Sequence, residues 1–325
     1  MGGDFVMLSF TPMLIGALAA IACALPGNFL LLRRQALIGD AMSHVVLPGI
    51  VAGFLVAGQI STWSMLLGAA AAALVAVALI EVVRRVGRVE PGAAMGVVFT
   101  AMFALGVLLI EQSDTSGVHL DVEHALYGNL ESLIWLEGAA GWSALADPAA
   151  LAYLPPELFR VAGAAALAAV FTWLFWRPLV LATFDEGYAA ARGLRVRLIS
   201  LGLIVLAALA AVTAFDAVGS ILVIAMFICP PAAARLITDS LPRQVGLSVV
   251  FAAGAAMLGY VLAGYGPLWL GHPHSVSAAG MIATLSGALL GLAAWSASRR
   301  GRSQHGAEIP ATGARPPRAR ARNTE

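Results

Sequence analysis

Nine stretches of this chain are each long and apolar enough to cross a lipid bilayer. They fall at about 11–32, 40–58, 63–83, 92–110, 158–177, 197–215, 219–235, 246–264 and 277–297. A membrane-spanning helix needs roughly 20 predominantly apolar residues. Hydrocarbon offers no partner to a backbone N–H or C=O, so only helices and closed barrels survive there. These stretches run continuously in Leu, Ala and Val and do not alternate, which argues against a barrel. The expected fold is all-α: a polytopic membrane helix bundle of eight to nine transmembrane helices. The amino-acid usage says the same. Of 325 residues, 60% are apolar and 11% charged, against about 25% charged in an ordinary soluble domain, and mean hydropathy is +0.87. A soluble enzyme, a disordered protein and a protein with one membrane anchor are excluded.

Two segments stand apart from the spans. Residues 111–157 hold Glu111, Asp114, Asp121, Glu123, Glu131, Glu137, Asp147 and Glu157, and read as an outer segment with a short helix around 121–136. From Arg299 onward the chain is rich in Arg, Pro, Gly and Ala without hydrophobic period. The expectation is a transmembrane domain over 1–298 and a disordered Arg-rich tail over 299–325. The opening MGGDFVMLSF lacks the basic start of a cleaved signal, so the first stretch reads as a retained helix.

Orientation follows from the basic residues, which gather in cytoplasmic loops. With Arg33 and Arg34 inside and strict alternation after them, 18 of the 19 arginines fall inside, and Arg160 alone lies near the outer face. The C-terminus is then cytoplasmic, and the outer mouth is acidic. An acidic mouth raises the local concentration of cations, although polar outer loops are commonly acidic without that role.

All 19 basic residues are Arg, with no Lys anywhere. A phosphate-binding Walker A loop requires a Lys, so any ATP hydrolysis belongs to another chain. Neither an HExxH nor a GxSxG pattern occurs, and the chain reads as no enzyme. Cys23 and Cys229 lie inside apolar stretches and read as small buried hydrophobes.

The strongest chemical signal opens the second span, Gly39-Asp40-Ala41-Met42-Ser43-His44-Val45-Val46-Leu47-Pro48-Gly49. Asp40 and His44 are four apart and share a helix face. Carboxylate and imidazole are ligands for zinc, and for manganese or iron. Ionisable groups inside a span usually face a pathway. An alternative fits the spacing equally: Asp40 caps the helix and His44 bonds a neighbouring helix. His119, Asp121, Glu123 and His124 form an outer polar cluster, either a metal-entry surface or solvated loop residues. His272 and His274 read as a surface loop, and His305 has no assigned role. Pro26, Pro48, Pro230 and Pro231 fall inside spans, where kinks or broken helices are expected.

Several motifs occur in order over about residues 10–295. LLRRQALIGDAMSHVVLPGIVAGFL resembles the pattern LRR-x-A-L-x-G-D-A-x-S-H-x-x-L-P-G of the metal-type permeases of ATP-binding-cassette importers. FDEGYAAARGLRVRLI is similar to that family's cytoplasmic D-E-x-x-A-x-x-x-G segment, and AVGSILVIAMFICPPAAARLITDSLPRQVGLS to its V-G-x-L-L-x-x-A-x-L-x-x-P-A-A-x-A-R segment. HALYGNLESLIWL resembles its outer F/Y-G-x-L pattern, while 137–157 looks longer than that pattern and Gly92 stands where an acid is common. The resemblance implies a fold like the vitamin B12 importer permease. It also implies a homodimer, a cytoplasmic ATPase, an extracytoplasmic metal-binding protein, and a location in the bacterial inner membrane. The cargo would be zinc or manganese, with iron a third candidate, and no tightly bound cofactor or nucleic acid is expected. Asp40 and His44 match the family's metal pathway. Arg235, Leu236, Ile237 and Asp239 would dock the ATPase through a short helix stopped by Pro242. The rival reading is a secondary, proton-coupled metal carrier, which an inverted internal repeat would support. No convincing repeat is visible.

Overall fold

A computed structural model of the chain describes residues 2–36, 38–58, 62–112, 130–269, 271 and 275–307. Among these, the nine expected stretches are all helical: α1 Thr11–Leu32, α2 Ile38–Ala57, α3 Thr62–Gly87, α4 Pro91–Gln112, α5 Pro156–Leu174, α6 Val196–Val218, α7 Ser220–Ile237, α8 Leu241–Trp269 and α9 Ala278–Ala307. No strand occurs among the described residues. Eight of these helices are long and apolar enough to cross a membrane. The ninth, α2, has 20 residues, and among its described side chains the apolar run is Leu47–Ala57.

The centre of the bundle is α1. Sixteen of its 22 residues are buried, because α5, α6, α7 and α8 all pack against it. Phe29, Leu30 and Ile15 of α1 join Leu203 of α6 and Leu222, Met226 and Phe227 of α7 in one core. To one side, α2, α3 and α4 form a group that meets the rest through α6 and α7. The seam between α2 and α3 is made of glycine: a Cβ at Gly49 would collide with the Gly68 carbonyl, and one at Gly53 with the Ser64 carbonyl. With no apolar driving force between helices in lipid, such small residues four apart allow the close backbone contact that holds the pair.

The prolines do not break their helices. Pro26, Pro48, Pro230 and Pro231 each lie inside a continuous helix, so of the kinks or breaks expected from sequence the breaks do not occur. A proline removes one N–H and leaves a carbonyl unserved four residues earlier; the loss is local and a packed neighbour can absorb it. Phe227, whose carbonyl Pro231 cannot serve, lies directly against Gly27 of α1.

At one end of the bundle, residues 2–10 and 130–155 fold over the helices. Trp135 is fully buried with Val6, Ala144 and Ala150. Its indole N–H donates to the Ala150 carbonyl at 3.1 Å, and its backbone N–H to the Met7 carbonyl at 2.9 Å. The helix expected around 121–136 is not found in its described part. Leu130–Ser132 is one 3-10 turn, and a second 3-10 segment spans Leu136–Ala146; the residues between them are non-helical, which places Trp135 between Met7 and Ala150. Residues 121–129 lie outside the described residues. Glu131 accepts from the Ala278 N–H at 2.6 Å, so a carboxylate neutralises the N-terminus of α9. Arg160, the arginine set apart from the others, lies 2.6 Å from Glu157 and 2.8 Å from Asp216.

At the other extreme, α9 continues past the boundary expected at 298 and stays helical to Ala307. No proline interrupts it before Pro310, and the Arg299 guanidinium covers the Trp295 ring at 3.7 Å. Residues 308–325 of the expected tail lie outside the described residues.

Candidate functional site

The first turns of α2 start against α7. Gly39 is buried, and a Cβ there would stand 2.7 Å from the Phe227 ring. Ile38, Ala41 and Val45 are also buried, at 3%, 2% and 0% exposure. This start therefore belongs to the interior of the protein and not to a solvated loop. The backbones of Asp40 and His44 belong to this helix, and their spacing of four puts them on one face. Their side chains lie outside the described residues. The helices α6 and α7 pack beside α2, and α7 brings Pro230 and Pro231, both buried, one turn beyond Phe227.

Among the described residues, no three His, Cys, Asp or Glu side chains come together. The expected entry cluster of Asp121, Glu123 and His124, with His119, lies outside the described residues, as do His272 and His274 and the side chain of His305.

The stretch expected to dock an ATPase has a different shape from the one expected. Arg235, Leu236 and Ile237 form the last turn of α7, Thr238 is extended, and α8 begins at Leu241. There is no separate short helix, and Pro242 opens α8 instead of stopping a helix. That is where proline fits best, because first-turn N–H groups have no intrahelical partner. Arg235 donates to the Asp239 carbonyl at 3.0 Å and closes the corner. Leu236 and Ile237 are left 41% and 36% exposed, an apolar pair on a tight turn.

A buried polar cluster between α1 and α8 was not singled out by sequence reasoning. Asn28 donates to the Ser248 hydroxyl at 2.7 Å and to the Ala24 carbonyl at 2.7 Å. It accepts from Gln244 at 3.1 Å. All three side chains are fully buried. The only available sign is that Gln244 and Ser248 are polar and one turn apart in an otherwise apolar span.

This arrangement of helices and motifs has relatives. A family model described as the ABC 3 transport family matches residues 7–135 and 150–294. The chain belongs to the ABC 3 transport family. It is 36% identical over 272 residues to the manganese transport system membrane protein MntD of Bacillus subtilis (strain 168), covering 84% of this chain and 86% of that protein. It is 35% identical over 281 residues to the zinc transport system membrane protein TroD of Treponema pallidum (strain Nichols), covering 86% and 71%. Among solved structures, PsaBC from Streptococcus pneumoniae in complex with Fab is similar with a TM-score of 0.67 and 28% identity, over 87% of this chain and 89% of that one. An inward-facing metal-chelate type ABC transporter has the same fold, with a TM-score of 0.63 at 17% identity, over 90% and 87%. As a member of the ABC 3 transport family, the chain is a multi-pass membrane protein with an all-α permease fold, as its sequence led us to expect. The family match leaves out 136–149, which includes the Leu136–Ala146 segment that packs against residues 2–10.

Proposed function

We propose that this chain is the membrane permease subunit of an ATP-binding-cassette importer for divalent transition-metal ions, manganese or zinc, with iron a third candidate. The observation that carries the reading is the ABC 3 family match over most of the chain, joined to GDAMSH in the buried start of α2. The named relatives divide between manganese and zinc, and carboxylate with imidazole suits both. Asp40 and His44 line the translocation path. One chain supplies two ligands there, and two copies around a two-fold axis supply four, enough for a tetrahedral site. The complete transporter is a homodimer of this chain with a cytoplasmic ATPase and an extracytoplasmic metal-binding protein. It sits in the bacterial inner membrane with the arginine-rich end of the bundle and the C-terminus in the cytoplasm. Asp121, Glu123 and His124 serve as an entry surface. ATP is hydrolysed on the separate subunit, since this chain has no Lys for a Walker A loop.

The test is uptake of radiolabelled manganese, zinc and iron in cells lacking the gene, complemented with the wild-type chain, Asp40→Asn or His44→Ala. Asp40 is the third residue of α2 and not its N-cap; Asn there keeps an oxygen acceptor for first-turn N–H groups, so a role confined to the helix start leaves Asp40→Asn almost silent. A ligand role abolishes uptake at equal levels of assembled complex. Wild-type uptake in both variants removes the pair from the mechanism. Uptake that persists when the partner ATPase is inactivated favours the proton-coupled carrier instead.

A further inference from the structure

A cavity of about 1130 Å³ opens between the C-terminal end of α1, the last turns of α3 and the start of α6. Its lining includes five arginines, Arg33, Arg34, Arg84, Arg85 and Arg197, and two carboxylates, Glu81 and Glu186. The formal excess is three positive charges. Glu81 serves both Arg84, at 2.8 Å, and Arg85, so one carboxylate offsets two guanidinium groups. Among the described residues, Arg33, Arg34 and Arg197 form no ion pair.

Arg33 is the most informative of the five. Its Nε donates to the Thr183 hydroxyl at 3.0 Å and its Nη1 to the Ser200 hydroxyl at 2.8 Å. Two neutral hydroxyls thus aim the group without compensating its charge, and its Nη2 is buried with no hydrogen-bond partner. Burial lowers the Arg33 pKa and the Glu186 carboxylate raises it, yet a guanidinium stays charged in a protein. A buried donor on a charged group costs free energy until an acceptor arrives. Arg34 beside it has a φ of 57° and is the left-handed residue that ends α1, with the Gln35 N–H donating back to the Leu30 carbonyl at 2.8 Å.

Away from the arginines the walls are apolar. Leu74 and Val77 of α3 face the cavity with Leu201, Ile204 and Val205 of α6. At 1.5 Å per residue, Leu74 stands about 15 Å along α3 from Arg84, and Val205 about 12 Å along α6 from Arg197. Half of a hydrocarbon core of ~30 Å is about 15 Å. The cavity thus has a cationic rim and an apolar wall one leaflet deep.

We propose that this cavity binds an anionic phospholipid, with its phosphate on the arginine rim and its acyl chains along α3 and α6. Basic pockets between transmembrane helices on the cytoplasmic side suit such headgroups, and the planar guanidinium binds phosphate in bidentate fashion. A metal-release path is a poor alternative, since the excess positive charge repels a divalent cation. The inference depends on the membrane-spanning fold with its arginine-rich end inside, and is independent of which ion is carried.

The experiment uses the purified full-length chain in detergent, titrated with phosphatidylglycerol, with phosphatidylcholine of the same chain length, or with inorganic phosphate. Bound lipid is counted by native mass spectrometry. Phosphatidylglycerol should bind more tightly than phosphatidylcholine. Each rim charge is worth about fivefold, so Arg34→Gln with Arg197→Gln should weaken phosphatidylglycerol about 25-fold, while Arg177→Gln, outside the cavity, should not. Glu186→Gln should tighten it about fivefold by the same charge arithmetic, a gain that misfolding cannot produce. Equal binding of the two lipids overturns the proposal, as does wild-type affinity in the double variant. Occupancy by inorganic phosphate without preference for phosphatidylglycerol also overturns it, assigning the rim to free phosphate.

Discussion

Asn28 carries no charge and belongs to no motif, yet it ties the central helix to α8. Its amide reaches Ser248 and Gln244, 220 and 216 residues further along the chain. Removing one member of a buried network leaves the others unpaired, at about 1–3 kcal/mol. Asn28→Ala should therefore lower the stability of the purified permease by about that amount, read as a lower midpoint of thermal unfolding. Ser248→Ala should cost less, because Asn28 keeps the Ala24 carbonyl and Gln244. Equal losses in the two variants would show that the network is not centred on Asn28. At this scale the sequence was uneven. Asp40 and His44 announce themselves by spacing within one helix, whereas Asn28, Arg33 and Trp135 depend on partners far along the chain. No local pattern records such partners.

The helices show what periodicity can and cannot predict. All nine helices lie close to where hydropathy places them, because the requirement for about 20 apolar residues is a property of the segment itself. The corner between α7 and α8 was read less well. Pro242 looked like a stop and is a start, since its position relative to the first helical residue decides its effect. The corner still presents Leu236 and Ile237 partly exposed at the arginine-rich end. If the ATPase docks there, Leu236→Asp with Ile237→Asp buries two unpaired charges in the interface. The ATPase co-purified from detergent should then fall at least about tenfold. Exposed positions tolerate such changes within about 0.5 kcal/mol, so the permease itself should keep its elution profile and unfolding midpoint. Undiminished ATPase in the pull-down would rule out this corner as the dock.

For the molecule as a whole, α9 runs past the division expected at residue 298, to Ala307. Beyond it, Pro310, Pro316 and Pro317 and the last four arginines form no hydrophobic period, and such a segment cannot bury a core. Removing 308–325 should leave metal uptake within about twofold of wild type at equal expression, since a basic segment without hydrophobic period adds only surface attraction to the membrane. A loss of most uptake would give the segment a role in assembly or gating.

The sequence by itself determined the class of solvent and where the helices lie, and it singled out Asp40 and His44 as candidate ligands and one end of the bundle as the expected home of the arginines. Each follows from the composition of a segment or from spacing within one helix. Only the tertiary structure decided that α1 is the centre, that Gly49 and Gly53 hold α2 to α3, and that Trp135 pins residues 130–155 over residues 2–10. It alone brought Arg33, Arg84 and Arg197 around one cavity. In lipid every span is apolar on all sides, so hydropathy marks where a helix is but not which face meets a neighbour. That choice is made by close packing and by a few polar contacts between helices distant along the chain.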